Sequence, residues 1–284
     1  MTEKTVQNNP PIYGIHLLKI ALYRKLSASE FKNLKEVQLF KIHKTTSGVL
    51  NFIIIEYPCK DFFEKLNSII DPNYYHICYL EVFCDDSFAT EESARRSLWE
   101  FRKTYIRKYV FDYRQHDQYN TDPKKWSKDP DAIGPMTLCF GLRRYQLAVY
   151  IRKQNGHFIL RNEIKIVNHG VIKRLTGIDT ILDLLYFDSK IFFCDWFDSH
   201  MKEAKINYEK IRFFLFGMKS STSKIETDLQ DVLIIQLLGE TPSDMRNNLK
   251  SRLAEYQKSI STKRGPKTTW QKAVMKIRLP DLIK

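Results

Sequence analysis

The sequence predicts an α+β fold. A central antiparallel sheet carries helices on one face and leaves the other open, and a mainly helical, basic, helix-turn-helix-like part follows. Three observations point there. Leu138–Val167 contains two alternating runs, Leu147-Ala148-Val149-Tyr150 and Leu160–Ile166, joined by Arg152-Lys153-Gln154-Asn155-Gly156, a segment with turn chemistry. Ile77–Asp85 alternates in the same way. Between and after these runs, apolar residues recur every three to four positions, as helices require.

Taken in order, residues 1–11 form a polar leader ending in Pro10-Pro11, and Ile12–Leu22 is an apolar run of undecided type. Ser27 and Ser29 before Glu30-Phe31 start a helix. Val49–Tyr57, rich in β-branched and aromatic residues, is a strand ended by Pro58. Lys60–Ile70 has helical spacing through Phe62, Phe63, Leu66 and Ile70. Thr90 caps a helix whose Glu91 and Glu92 suit its positive end. Ala94, Leu98, Phe101 and Tyr105 line its inner face. Arg95, Arg96, Arg102, Lys103, Arg107 and Lys108 make a phosphate-contacting rim or, equally, a solvated face. Residues 116–135, with three prolines and a glycine, read as a long polar loop. Asn168–Ala204 reads as mostly helical, with Leu182, Leu185, Phe192, Phe193 and Trp196 inside, and Lys210–Phe216 as another strand. Asp228–Leu238 is a helix broken by Gly239-Glu240. Thr241 caps the next, with Pro242 at its first position. That helix turns Met245, Leu249 and Leu253 inward and Arg246, Asn247, Lys250 and Arg252 elsewhere. Lys263-Arg264-Gly265-Pro266-Lys267 follows as a basic arm. The divisions expected are an N-terminal segment (1–48), a core (49–220) and a basic helical part (221–284).

The 284 residues carry a net charge of +13, which favours an anionic partner, nucleic acid above all. Residues 241–284 hold eleven Lys/Arg against three Asp/Glu, a net +8, leaving +5 for the rest. No run of eighteen apolar residues and no signal-peptide core occurs, so a cytoplasmic protein without a membrane partner is expected. Five cysteines without CxxC pairing read as buried thiols of a reducing compartment.

Side chains two apart in a strand share a face. Cys78, Leu80, Val82 and Cys84 therefore oppose Tyr79, Glu81, Phe83 and Asp85. Leu147, Val149 and Ile151 oppose Gln146, Ala148, Tyr150 and Arg152. Leu160, Ile164 and Ile166 oppose Arg161, Glu163 and Lys165. One sheet would gather Tyr150 with Glu81, Asp85 and Glu163 on its open face. Such acids are either solvated charges or ligands for Mg²⁺ or Mn²⁺, hard cations that prefer oxygen. An ion there polarises a scissile phosphate. Tyr150 is the candidate nucleophile, with Arg143, Arg152 or Lys153 favouring its phenolate. No GxxxxGK[ST], His-x-His, Gly-x-Ser-x-Gly or HExxH occurs, and the seven scattered histidines read as structural.

Gly141, Leu147–Lys153, Arg161–Ile166 and Tyr79–Asp85 together resemble the core of the Rep_trans replication initiators of rolling-circle plasmids, which are related to conjugative-element relaxases and filamentous-phage nickases. The resemblance covers about Ile53–Leu185. It implies metal-dependent nicking of origin DNA, a 5′-phosphotyrosine link and a free 3′-OH. It places the nucleophile on Tyr150 and the metal on Glu81, Asp85 and Glu163. It also implies a homodimer and origin discrimination toward the C-terminal part. The first acid, Glu81, is an aspartate in most of the family. The piece from Gly141 to Tyr150 is two residues short and lacks a serine, which makes Tyr145 a rival nucleophile.

The expected partners are single- and double-stranded origin DNA, with a host helicase as a further candidate. Arg143, Arg152, Lys153, Arg161, Arg246, Asn247, Lys250, Arg252, Lys263 and Arg264 are the expected DNA contacts. Alternatives are a relaxase of a conjugative element, a non-catalytic sequence-specific DNA-binding regulator, and an RNA-binding protein that stacks bases on Tyr79 and Phe83.

Overall fold

The computed structural model describes residues 10–44, 51–108, 116–120, 132–142, 145–217, 224–262 and 265–284. In chain order its elements are β1 (Ile12–Leu22), α1 (Ala28–Val37), β2 (Lys41–Lys44), β3 (Asn51–Glu56), α2 (Lys60–Ile69), β4 (Tyr75–Phe88), α3 (Glu91–Thr104), β5 (Tyr105–Arg107), β6 (His116–Asn120), β7 (Ala132–Leu142), β8 (Tyr145–Gln154), β9 (His157–Val167), α4 (His169–Thr176), α5 (Ile181–Leu185), α6 (Ser189–His200), β10 (Met201–Glu203), α7 (Tyr208–Phe216), α8 (Lys224–Leu238), α9 (Pro242–Thr262), α10 (Thr269–Val274) and α11 (Leu279–Leu282). The chain divides into two interleaved units: Met1–Leu98 with Tyr119–Ser199, and Trp99–Gln118 with His200–Lys284.

The first unit is built on a sheet of order β2-β3-β1-β4-β9-β8-β7-β6. The seven strands from β2 to β7 pair antiparallel throughout. The undecided run Ile12–Leu22 is therefore a strand between β3 and β4, and β1 and β2 of the expected N-terminal segment belong to the sheet. Leu18, Ile20, Ile53, Ile55, Ile77, Leu80 and Val82 are buried, as are Leu34 of α1, Phe62, Phe63 and Leu66 of α2, and Ile181 and Leu184 of α5. Capping boxes at Ser27 and Thr180 satisfy the first turns of α1 and α5. The Tyr75 hydroxyl accepts from Ile181 N–H at 2.8 Å, tying α5 to β4. Leu182, expected inside, is exposed, because Ile181 and Leu184 are the residues of that short helix that face inward.

Asn155 and Gly156, at φ 49° and 79°, close the β8–β9 hairpin as a two-residue turn. Both positive φ values match the type I′ geometry that fits strand twist. β4 extends beyond the expected Ile77–Asp85 at both ends. Residues 116–135, expected as loop, contain β6 and the start of β7.

In the second unit β5 pairs with β10, and Ile211, Phe214, Ile234, Leu238, Met245, Leu249 and Leu253 form one buried cluster. Lys210–Phe216 lies in helix α7 rather than in a strand. Asn207 caps it by accepting from Lys210 N–H at 3.0 Å, and Gly217 ends it at φ 68°. Ile211 and Phe214, three apart, supply its buried side. Gly239, at φ 100°, accomplishes the turn between α8 and α9, and the side chain of Thr241 caps α9 by accepting from Asp244 N–H. The first turn of α9 is buried through Pro242, Ser243, Met245 and Arg246. Among the described residues no helix is long and apolar enough to cross a membrane.

Candidate functional site

Antiparallel register puts directly paired residues on one face. Glu81 pairs with Lys165 and Lys165 with Gln146. Phe83 pairs with Glu163, Glu163 with Ala148, and Ala148 with Cys139. Asp85 pairs with Arg161, Arg161 with Tyr150, and Tyr150 with Thr137. The polar sides of the three expected strands thus do meet in one sheet.

A fourth strand joins them. In β1, Ile15 pairs with Val82 and Leu17 with Glu81, so His16 is the extra residue of a bulge. A bulge re-aims a side chain, and the His16 ring turns onto the polar face. Its Nδ1 lies 3.0 Å from Glu81 Oε2 and 3.0 Å from Glu163 Oε2. Lys165 Nζ is 3.1 Å from Glu163 Oε1 and 3.7 Å from Glu81 Oε1. The Tyr150 hydroxyl donates to Glu163 Oε2 at 2.8 Å, and the Tyr79 hydroxyl donates to Glu81.

Asp85 stands apart from this group. Arg161 Nε and Nη2 grip it at 2.7 and 2.6 Å. The third Arg161 nitrogen, Nη1, donates to the Tyr57 hydroxyl at 2.9 Å, and Arg152 Nη1 donates to the same oxygen. Tyr57 follows β3 directly, has φ 49°, and anchors its N–H on His16 O at 2.7 Å.

The face expected to be open is buried at its centre. Tyr150, Arg161 and Glu163 are 0 % exposed, Glu81 and Arg152 3 %, and Asp85 5 %. The physical reason is mutual compensation: each acid touches a cation, which makes burial tolerable. Burial alone would push the His16 imidazolium down, but hydrogen bonds to Glu163 and Glu81 outweigh it and lift His16 to about 9. Burial likewise opposes the Glu163 carboxylate, yet Lys165 and His16 hold it well below the usual range. Burial and the Glu81 charge push the Tyr79 phenol up.

Glu81 and Glu163 were expected as ligands and lie together. Asp85 was expected with them, but it neutralises Arg161 instead. His16 takes its place: ligand atoms of His16, Glu81 and Glu163 lie within 4.8 Å of one another. One imidazole nitrogen and two carboxylates are a donor set that a divalent ion can use, Mn²⁺ more readily than Mg²⁺. Binding would require His16 to lose its proton. His16 was missed because strict alternation in Ile12–Leu22 puts it on the face of Leu18 and Ile20. Only the bulge reverses that.

Of the expected DNA contacts, Arg152 and Arg161 are buried in the Tyr57 pairing, and Lys153 is exposed beside the Phe158 ring at 5.5 Å. Arg246 is 4 % exposed and donates to Arg107 O at 2.7 Å, so it braces the second unit from inside. Asn247, Lys250 and Arg252 are partly exposed. The rival nucleophile Tyr145 is also partly exposed. Arg143, Lys263 and Arg264 lie outside the described residues. The protein-family models, the curated proteins and the solved structures contain no match to this chain.

Proposed function

We propose that this chain nicks and rejoins DNA at a rolling-circle replication origin through a tyrosyl–phosphate link, with a divalent ion as cofactor. The observation that carries the reading is the His16–Glu81–Glu163 group with the Tyr150 hydroxyl 2.8 Å from Glu163, all on one sheet face. The +13 charge suits a nucleic-acid substrate. The resemblance to Rep_trans initiators points the same way.

In the reaction a tyrosine oxygen bonds to the scissile phosphorus while the bond to the 3′ oxygen breaks. The phenol's proton is balanced by the one the 3′ oxygen gains. The phosphate stays on the protein at the 5′ end of the downstream strand, and the free 3′-OH can prime synthesis or reverse the step. His16, Glu81 and Glu163 would hold Mn²⁺ or Mg²⁺, which supplies Lewis acidity to a phosphate oxygen. Lys165 and the two guanidiniums add fixed positive charge where the phosphate's charge must be met. Duplex recognition by a helix-turn-helix-like pair falls to Asn247, Lys250 and Arg252 on α9, since the start of that helix is buried. Dimerisation and recruitment of a host helicase belong to the same reading.

A second reading has one observation in its favour. Lys165 already sits 3.1 and 3.7 Å from the two acids and balances them without an ion. The face is then structural, and the chain is a DNA-binding regulator. A random pool of 3′-fluorescent single-stranded oligonucleotides, incubated with the protein and Mn²⁺ and run on a denaturing gel, separates the two. Strand transfer gives a fluorescent protein band that EDTA abolishes. DNA binding without that band leaves the regulator.

A further inference from the structure

We propose that Tyr57, rather than Tyr150, carries the attacking oxygen, an inference that rests on the strand-transfer reading. Three tyrosines among the described residues place their hydroxyls in the polar network of this face. Tyr150 is 0 % exposed and gives its hydroxyl proton to Glu163. Tyr79 gives its own to Glu81. For both, the neighbour is a carboxylate, and a phosphodiester brought to either oxygen meets a like charge. Tyr57 differs in both respects. It is 40 % exposed at the edge of the face, and its oxygen accepts from Arg152 and Arg161.

Those guanidiniums are a built feature rather than surface chance. Arg161 is fixed by two bonds to Asp85 and stands 5.5 Å from the Tyr57 ring and 4.3 Å from Phe83. Together they aim two guanidinium donors at one phenol oxygen, groups that can bond a phosphodiester and offset the negative charge that builds during attack. The ring of Tyr57 lies 5.0 Å from that of His16, a member of the His16–Glu81–Glu163 group. Its backbone reinforces the assignment. A tyrosine at φ 49° occupies the left-handed region at a cost that surrounding structure must hold, and such residues cluster at functional sites.

The chemistry balances as before: an O–P bond forms from Tyr57, the P–O3′ bond breaks, and its electron pair and one proton end on the 3′ oxygen. The test maps the adduct. Full-length wild-type protein is reacted with the fluorescent pool and Mn²⁺, digested with nuclease and trypsin, and sequenced by mass spectrometry. The tryptic peptide 45–60 contains Tyr57 alone among tyrosines, whereas 145–152 contains Tyr145 and Tyr150. Nucleotide mass on 45–60, together with loss of the band in Tyr57→Phe, is the expected result. Mass on 145–152 overturns the assignment to Tyr57 and leaves strand transfer standing. No adduct in wild type overturns strand transfer itself, and the assignment falls with it.

Discussion

Changing Asp85 to Leu distinguishes a carboxylate that supports the fold from one that holds an ion. Asp85 meets the fully buried Arg161 through two bonds of 2.7 and 2.6 Å. Removing its charge leaves the guanidinium between Tyr57 and Phe83 without the acid that Nε and Nη2 bond. Breaking one side of a buried pair costs about 3–5 kcal/mol. At about 2–4 °C per kcal/mol for a unit of this size, Tm falls by roughly 6–20 °C. Differential scanning calorimetry reads this directly. Arg161→Met in the same chain removes the stranded charge, and the double variant should recover much of the loss, since a buried pair replaced by apolar groups is often neutral. A shift in Asp85→Leu under about 2 °C, with Mn²⁺ binding lost, would refute the structural role and return Asp85 to the ligand set.

Three further outcomes follow from the same geometry. The folded His16 value of about 9 stands above its ordinary 6.5, so its stabilisation is complete below pH 6.5 and is lost as pH rises through about 9. That difference is on the order of 3 kcal/mol, and a pH series of unfolding midpoints should slope through this window in wild type but not in His16→Gln. Tyr150→Phe deletes a buried donor to a charged acceptor and should cost about 1.5–3 kcal/mol in urea unfolding; an unchanged midpoint would mean the bond contributes nothing. Gly239→Ala should destabilise the second unit by about 1–3 kcal/mol, because φ is 100° and a Cβ would stand 2.6 Å from that of Asp244. Thermal melts followed at Trp270, which packs beside Tyr256 in that unit, report it.

Alternation within β4, β8 and β9 was enough to sort Glu81, Glu163 and Tyr150 onto one side. Spacing inside a strand carries no information about its partner's register, so the pairs Asp85–Arg161 and Glu81–Lys165 were invisible, and with them the self-neutralised character of the face. His16 was lost to one extra residue in β1. The aromatic run in α7 resembles a strand by composition, and only Asn207 and Gly217 at its two ends mark it as a helix. Arg246 shows the converse limit: a charge on a basic helix can serve a neighbouring carbonyl, and composition does not report which.

The interleaving of the two units bears on how the chain can be cut. The second unit takes β5 from residues 99–118 and β10 from beyond residue 200, with strands β6 to β9 of the eight-stranded sheet between them in sequence. A truncation at residue 199 deprives β5 of its hydrogen-bonding neighbour, and a fragment starting at 200 leaves Arg246 without the Arg107 carbonyl it holds. Separating the two halves therefore calls for excising the segment 119–199 and bridging its ends, rather than for stopping the chain early.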